Sequence, residues 1–144
     1  MATDITYVRL DLENAHMLEG ADVFDNAVDP DQLKRFAADD GHELVFAVHN
    51  DAVVGFVSGT VLLHPDKPPA MFLNEVDVTP EFQQRGIGTS LCEHLLSIAR
   101  SRGCKGIWLA TEESNTAARA LYRKLQARET GQIVVYDWDG AMDA

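Results

Sequence analysis

The sequence predicts an α/β fold, and three observations carry that prediction. Short apolar runs with strand-like patterning alternate along the chain with stripes at helical spacing. One such run, Met71–Val78, passes through an Arg/Gln/Gly loop straight into a helical stripe of Ile87, Leu91, Leu95, Ile98 and Ala99. The 144 residues, 46% hydrophobic and 24% charged, amount to one globular domain over 1–144. A chain of this size buries roughly 68–70% of its unfolded surface, enough for a core.

The elements follow in order. Thr6–Leu10 alternates weakly and reads as a first strand. Residues 11–24 read as a polar helical segment with Leu12, Met17, Leu18 and Phe24 as its apolar positions. At Asp29-Pro30-Asp31-Gln32 a helix starts: Asp29 is the N-cap, Pro30 fits the first turn, and Gln32 stands at capping-box distance. This helix runs to about Asp39, and Gly41 is expected to stop it. Leu44–Val48 and Ala52–Leu62 are strands joined by a hairpin turn at Asn50-Asp51. Pro65–Pro69 is a loop, and Met71–Val78 the next strand. The helix from Ile87 runs to about Arg102, where Gly103 ends it. Ile107–Ala110 reads as a short buried strand, residues 115–125 as a helix, and Gln132–Trp138 as a last strand. No internal repeat or low-complexity segment interrupts this order.

Composition excludes several classes. The net charge is −11, and it is unevenly spread. Residues 1–43 hold 11 Asp/Glu against 3 Lys/Arg, a net of −8; residues 44–144 hold 12 against 9, a net of −3. Such a surface repels nucleic acid phosphate and attracts cations. Solubility is the plainer reading of the same charge. No apolar run approaches ~18 residues, so no membrane span is expected. The N-terminus lacks the basic and apolar regions of a signal peptide, which makes the expected location cytoplasmic. Cys92 and Cys104 form neither a disulfide framework nor a metal spacing, and none of the five His has metal spacing; no metal is expected.

The most informative stretch is Val78-Thr-Pro-Glu-Phe-Gln83-Gln-Arg-Gly86-Ile-Gly88-Thr-Ser-Leu91. A strand ends, a loop follows, and a helix begins at once. A helix N-terminus offers unpaired N–H groups and the positive end of the helix dipole. Gly86 and Gly88 remove side chains that would hold a phosphate away, and Arg85 adds a forked cationic donor. The combination suits a diphosphate. A Walker loop would need a Lys before Thr89, and a dinucleotide fingerprint a Gly where Leu91 stands.

Gln83-x-x-Gly86-x-Gly88 resembles motif A of the GNAT N-acetyltransferase family, which grips the pyrophosphate of acetyl-coenzyme A. About thirty residues later, Asn115-Thr-Ala-Ala-Arg-Ala-Leu121-Tyr122-Arg-Lys124-Leu125 resembles its motif B, Asn-x-x-Ala-x-x-Leu-Tyr-x-Lys-x-Gly. By itself the second motif would read as an amphipathic core helix. Order and spacing of the two motifs together make the likeness specific. One departure is visible: the Gly expected after Leu125 is Gln126, which leaves the exit from this helix open. Ala52–Gly59, the Pro-rich loop and Val134-Val-Tyr-Asp-Trp-Asp139 are further similar to the aminoglycoside 3-N-acetyltransferase subgroup. The likeness covers roughly residues 20–140. It implies an α/β (α+β) fold with a mixed central sheet flanked by helices, and acetyl-coenzyme A as cosubstrate.

Acetyl transfer from a thioester to an amine needs a base for the amine proton, stabilisation of the carbonyl oxygen, and protonation or stabilisation of the departing thiolate. The resemblance makes Glu75 the base, at a position where the aminoglycoside-modifying relatives carry an acidic residue, usually Asp, and Tyr122 the acid. Asp77 lies two residues beyond Glu75, so in an extended strand both point to one side and could share the holding of a cationic acceptor. The backbone N–H groups of Val76 and Val78 would face the thioester carbonyl. Gln83, Gln84, Arg85, Gly86, Ile87, Gly88 and Thr89 would hold the pyrophosphate, with Asn115 facing the coenzyme. The expected acceptor is a primary amine of a cationic small molecule, aminoglycoside-like or polyamine. Two alternatives stand beside it: a peptide or protein amine, and a non-catalytic module that senses acyl-coenzyme A. A homodimer is compatible with the resemblance.

Overall fold

The computed structural model describes residues 4–140. Its strands are β1 (Thr6–Arg9), β2 (His42–His49), β3 (Ala52–Leu62), β4 (Ala70–Val78) and β5 (Gly106–Trp108). Its α-helices are α1 (Pro30–Ala38), α2 (Ile87–Ser101) and α3 (Thr116–Lys124). The five strands form one mixed sheet in the order β1-β2-β3-β4-β5. The first four are antiparallel neighbours, while β5 returns parallel to β4 after the α2 crossover. Asn50 and Asp51 take φ of 47° and 65°, the double left-handed conformation whose twist suits a two-residue hairpin.

The sheet is covered on both faces, which is why β2 and β3 are buried along most of their length. On one face, Val45, Ala47, Val57 and Met71 meet the α2 stripe of Leu91, Leu95 and Ala99. Each fully buried Leu there stabilises the fold by roughly 1.5–3 kcal/mol. On the other face, Leu44, Phe46 and Phe56 pack with Leu18 and Val23, and with Leu33 and Phe36 of α1. Gly59 lets β3 approach closely: a Cβ there would come within 2.5 Å of the Met71 sulfur and 3.2 Å of Leu95 Cδ2. At the sheet margin, buried Glu43 takes two hydrogen bonds from Arg9 (3.0 and 2.8 Å) and one from Arg102 of the α2 terminus (2.6 Å). That triad clamps β1, β2 and α2 together.

α1 forms as the sequence predicts. The Asp29 carboxylate accepts from the N–H groups of Asp31 and Gln32, and Pro30 opens the first turn. Four expectations are corrected. Residues 11–24 are not a helix; only Ala15–Leu18 make a single 3-10 turn. The Asp11 carboxylate accepts from the N–H groups of Glu13 and Asn14 at 2.8 Å, and the Asn14 amide donates to the Arg9 carbonyl. These local bonds compete with a helix ladder. α1 stops because Asp39 turns extended, its carboxylate accepting from the Gly41 N–H at 2.7 Å, not because Gly41 turns left-handed. β5 ends at Trp108 instead of Ala110. Gln132–Trp138 makes no strand, and its apolar side chains stand in solvent.

Candidate active site

β5 pairs with β4 only from Ala70/Gly106 to Phe72/Trp108. Beyond that point β4 runs on to Val78 against β3 alone. The parting opens a cavity of about 270 Å³. One wall is Leu73–Asp77 of β4, and another is Leu109–Thr111 after β5. Asn115, Ala118 and Tyr122 contribute from α3 and its cap, and Asp25 reaches in from the segment before α1.

A bulge decides what β4 shows to this cavity. Ser58 pairs with Glu75 but Gly59 pairs with Leu73, so Asn74 is the extra residue. The Asn74 amide donates to Thr60 Oγ1 at 2.9 Å and ties the bulge to β3. Before it, Met71 and Leu73 face the core; after it, Val76 and Val78 do. Strand parity is switched there, and Glu75 and Asp77 turn outward to the cavity side. Without the bulge, both carboxylates would continue the row of Met71 and Leu73 into the core.

The backbone follows the same geometry. The Thr79 N–H donates to the Val54 carbonyl at 2.9 Å. That bond makes Gly55/Val78 a non-hydrogen-bonded pair, and with alternation Val57/Val76 as well. The N–H groups of Val76 and Val78 therefore point away from β3, toward the side where β5 has diverged. Val78 N–H meets the neighbouring Asp77 carboxylate at 2.8 Å.

The electrostatics are those of an acidic, partly dry cleft. Partial burial raises the Glu75 carboxyl above its ordinary value, and the negative charges of Asp25 and Asp77 add to the shift. Burial pushes the Tyr122 hydroxyl up to about 12, with a smaller contribution from Cys92, so the phenol stays protonated at neutral pH. Cys92 is itself pushed up to about 11 by burial and by Glu93, and behaves as an inert core thiol.

The second part of the site is the loop into α2. Gly86 caps α2 in a left-handed conformation, φ 82°, and offers no side-chain acceptor. The first N–H groups of α2, at Ile87, Gly88 and Thr89, thus receive no side-chain cap from Gly86. Gln84 is also left-handed, at φ 62°. The Gln83 amide donates to the Val78 carbonyl at 3.0 Å, which fixes the loop against the end of β4. The Arg85 guanidinium lies 4.9 Å above the Phe82 ring. A Cβ on Gly86 would meet nothing within 4 Å, so its strain on substitution comes from φ; one on Gly88 would touch Leu121 and Val78 at ordinary distances.

The structure brings Glu75, Val76, Asp77, Asn115 and Tyr122 around one cavity. The residues of the Gln83–Thr89 loop do not line it; they form the α2 entrance beyond the end of β4. Asn115 has a structural task as well, its side-chain oxygen capping α3 through the Ala118 N–H at 3.1 Å. Sequence reasoning missed Asp25 and Asn74. Asp25 had only the general acidity of its region as a signal, and the bulge had none. The missing Gly after α3 is accommodated by Gln126, which takes φ 65° itself. Its N–H donates to the Arg123 carbonyl (2.9 Å) and that of Ala127 to the Tyr122 carbonyl (3.0 Å), a complete Schellman stop.

Comparison with known proteins shows the family and the fold. The model of the acetyltransferase (GNAT) family matches residues 10–126. The [ribosomal protein bS18]-alanine N-acetyltransferase of Salmonella typhimurium is 44% identical over 57 residues, 40% of this chain and only 38% of that protein. Aminoglycoside N(6')-acetyltransferase type 1 of Salmonella typhimurium is 28% identical over 127 residues, 86% of this chain and 79% of that protein. The structure of AAC(6')-Iy with the bisubstrate analogue CoA-S-monomethyl-acetylneamine has a TM-score of 0.79 at 18% identity, over 94% of this chain and 98% of that one, a likeness of fold. These aminoglycoside relatives carry N(6') names, so the likeness is to aminoglycoside acetyltransferases and not to the 3-N subgroup in particular.

Proposed function

The chain belongs to the acetyltransferase (GNAT) family, and on that premise we propose that it moves the acetyl group of acetyl-coenzyme A directly to a primary amine of a cationic small molecule, aminoglycoside-like or polyamine. The observation that carries this reading is the acidic cavity where β4 and β5 part, with Glu75 and Asp77 on one wall and Tyr122 on another. Asp25 and Asp77 give the acceptor's ammonium groups two anionic partners. Glu75 takes the proton of the reacting amine, directly or through a water, and its raised pKa brings it closer to the working pH of a base. The amine nitrogen then attacks the thioester carbon. The Val76 N–H stabilises the developing oxyanion; the Val78 N–H joins it only if released by Asp77. As the carbon–sulfur bond breaks, Tyr122 donates its proton to the thiolate. The α2 entrance, Gln83 to Thr89, holds the pyrophosphate on its uncapped N–H groups.

A second reading, transfer to the N-terminal amine of a peptide, is favoured by the 44% identity to the bS18-alanine acetyltransferase over its 57 residues. One experiment separates the two: thiol release from acetyl-coenzyme A with an aminoglycoside, spermidine, a simple monoamine and a peptide beginning with Ala. The expected order of kcat/KM is polycation, monoamine, peptide, with the polycation preference shrinking as salt rises. Glu75→Gln should lower turnover roughly 10²–10⁴-fold while coenzyme affinity persists. Asp25→Asn should raise KM for the polycation more than for the monoamine. A peptide preferred over every polycation would replace the first reading with the second, and no turnover on any amine would remove both.

A further inference from the structure

Three carboxylates, Asp25, Glu75 and Asp77, line the cavity, and among the described residues no Lys, Arg or His lines it with them. Burial first, and then the charges of Asp25 and Asp77, raise the Glu75 carboxyl, so the three stand within one another's fields. With no cation in the wall, Asp77 takes a neutral donor. Its carboxylate accepts from the N–H of Val78, the next residue, at 2.8 Å. That N–H points away from β3, to the side where β5 has parted from β4. It is one of the two that the acetyl-transfer reading aims at the thioester carbonyl, the other being that of Val76. An N–H already bonded to a carboxylate is a poor donor to a second oxygen, so in the free protein one member of the pair is occupied.

A cationic acceptor competes for the same carboxylate. An ammonium adds the attraction of a full charge to its hydrogen bond, which the neutral Val78 N–H lacks. Rotation about a single staggered torsion carries the Asp77 carboxylate from backbone to cavity. The strand itself need not move, because Asp77 pairs with Phe56 and Val78 with Gly55 on β3.

On the reading of this cavity as the site of acetyl transfer, we propose that Asp77 couples the two substrates: it masks the Val78 N–H in the free protein and releases it on binding a second ammonium group of the acceptor. Asp77 is then a specificity-determining residue. A monoamine engages Glu75 alone and leaves the mask in place. A polycation reaches both carboxylates and completes the donor pair. By linkage the effect is reciprocal, acceptor and thioester tightening each other by the same factor.

The test is calorimetric binding to the full chain. The probe is the ketone analogue of acetyl-coenzyme A in which a methylene replaces the sulfur, so the carbonyl is kept and no transfer occurs. Coenzyme A, which lacks that carbonyl, controls for general charge effects. Spermidine should tighten the ketone roughly tenfold, inside the roughly 5–150-fold range of such couplings, and coenzyme A far less. Propylamine should tighten neither. Asp77→Ala removes the mask, and should bind the ketone as tightly without spermidine as the wild type does with it. Asp77→Asn keeps an oxygen for the Val78 N–H but loses the charge, and should stay at the weaker affinity with or without spermidine. In amide NMR spectra, spermidine alone should shift the Val78 resonance of the wild type and not that of Asp77→Ala. A wild-type ketone affinity that spermidine leaves unchanged, an equal gain for coenzyme A, or Ala and Asn variants that bind the ketone identically would each overturn the coupling while leaving acetyl transfer standing. A chain that binds neither the ketone nor coenzyme A would overturn the acetyl-transfer reading and the coupling with it.

Discussion

Replacing Gln126 by Gly should stabilise this protein, and the structure gives the size of the effect. Gln126 is the left-handed residue that stops α3, at φ 65°. The left-handed conformation costs an L-residue about 1–2 kcal/mol, because Cβ crowds the following carbonyl oxygen. Glycine has no such cost. Both bonds of the stop are made by backbone N–H groups, to the Arg123 and Tyr122 carbonyls, and survive the change. The Gln126 side chain is exposed and makes none of the hydrogen bonds found among the described residues, so little is lost with it. Against the gain stands the extra freedom of Gly in the unfolded chain, about 0.4–1 kcal/mol. The net is a stabilisation of about 0.5–1 kcal/mol, or about 2–4 °C per kcal/mol in Tm for a chain near this length. Differential scanning calorimetry would read it, with Gln126→Val as the opposite control, expected to lower Tm because a β-branched residue tolerates positive φ least. A Tm that is unchanged or lower in Gln126→Gly would refute the reasoning, and would mean that the helix exit carries no strain.

Two further outcomes follow from buried groups. Glu43→Gln should cost about 2–3 kcal/mol, since three charge-assisted hydrogen bonds lose their anion, with the half-exposed Arg9 side counted at a discount. Urea unfolding at an unchanged m-value would measure it, and a loss below about 0.5 kcal/mol would show the clamp to be incidental. Alkali should destabilise the fold over a definite window. Cys92 rises from 9.0 to about 11 and Tyr122 from 10.0 to about 12, so the folded state holds protons that the unfolded chain releases first. The sign is a stability flat below pH 9 that falls as pH rises toward 12. Tyr122→Phe should remove the fall between about pH 11 and 12 and lessen it between 10 and 11, where Cys92 still contributes; an identical alkaline slope in both proteins would contradict the burial of that hydroxyl.

Much of this protein is decided by local chemistry. The α1 cap at Asp29 and Pro30, the Asn50-Asp51 hairpin and the apolar stripe of α2 are set by residues within one turn or one loop of each other, and each is readable in order along the chain. The loop from Gln83 to Gly88 belongs with them, since a left-handed Gly at a helix start is a local requirement. Period-2 alternation also dictates that Glu75 and Asp77 share a side of their strand. What alternation cannot dictate is which side. That depends on the single extra residue Asn74, and a bulge exists only where two strands distant in sequence pair out of step. The entry of Asp25 into the cavity is likewise a matter of how the segment before α1 lies across the sheet, with no signature of its own. The last apolar run looks like a strand by composition yet has no partner within the described chain, because a strand is completed by its neighbour's hydrogen bonds and not by its own residues. Sequence determines the faces that elements offer; only tertiary pairing determines what those faces meet.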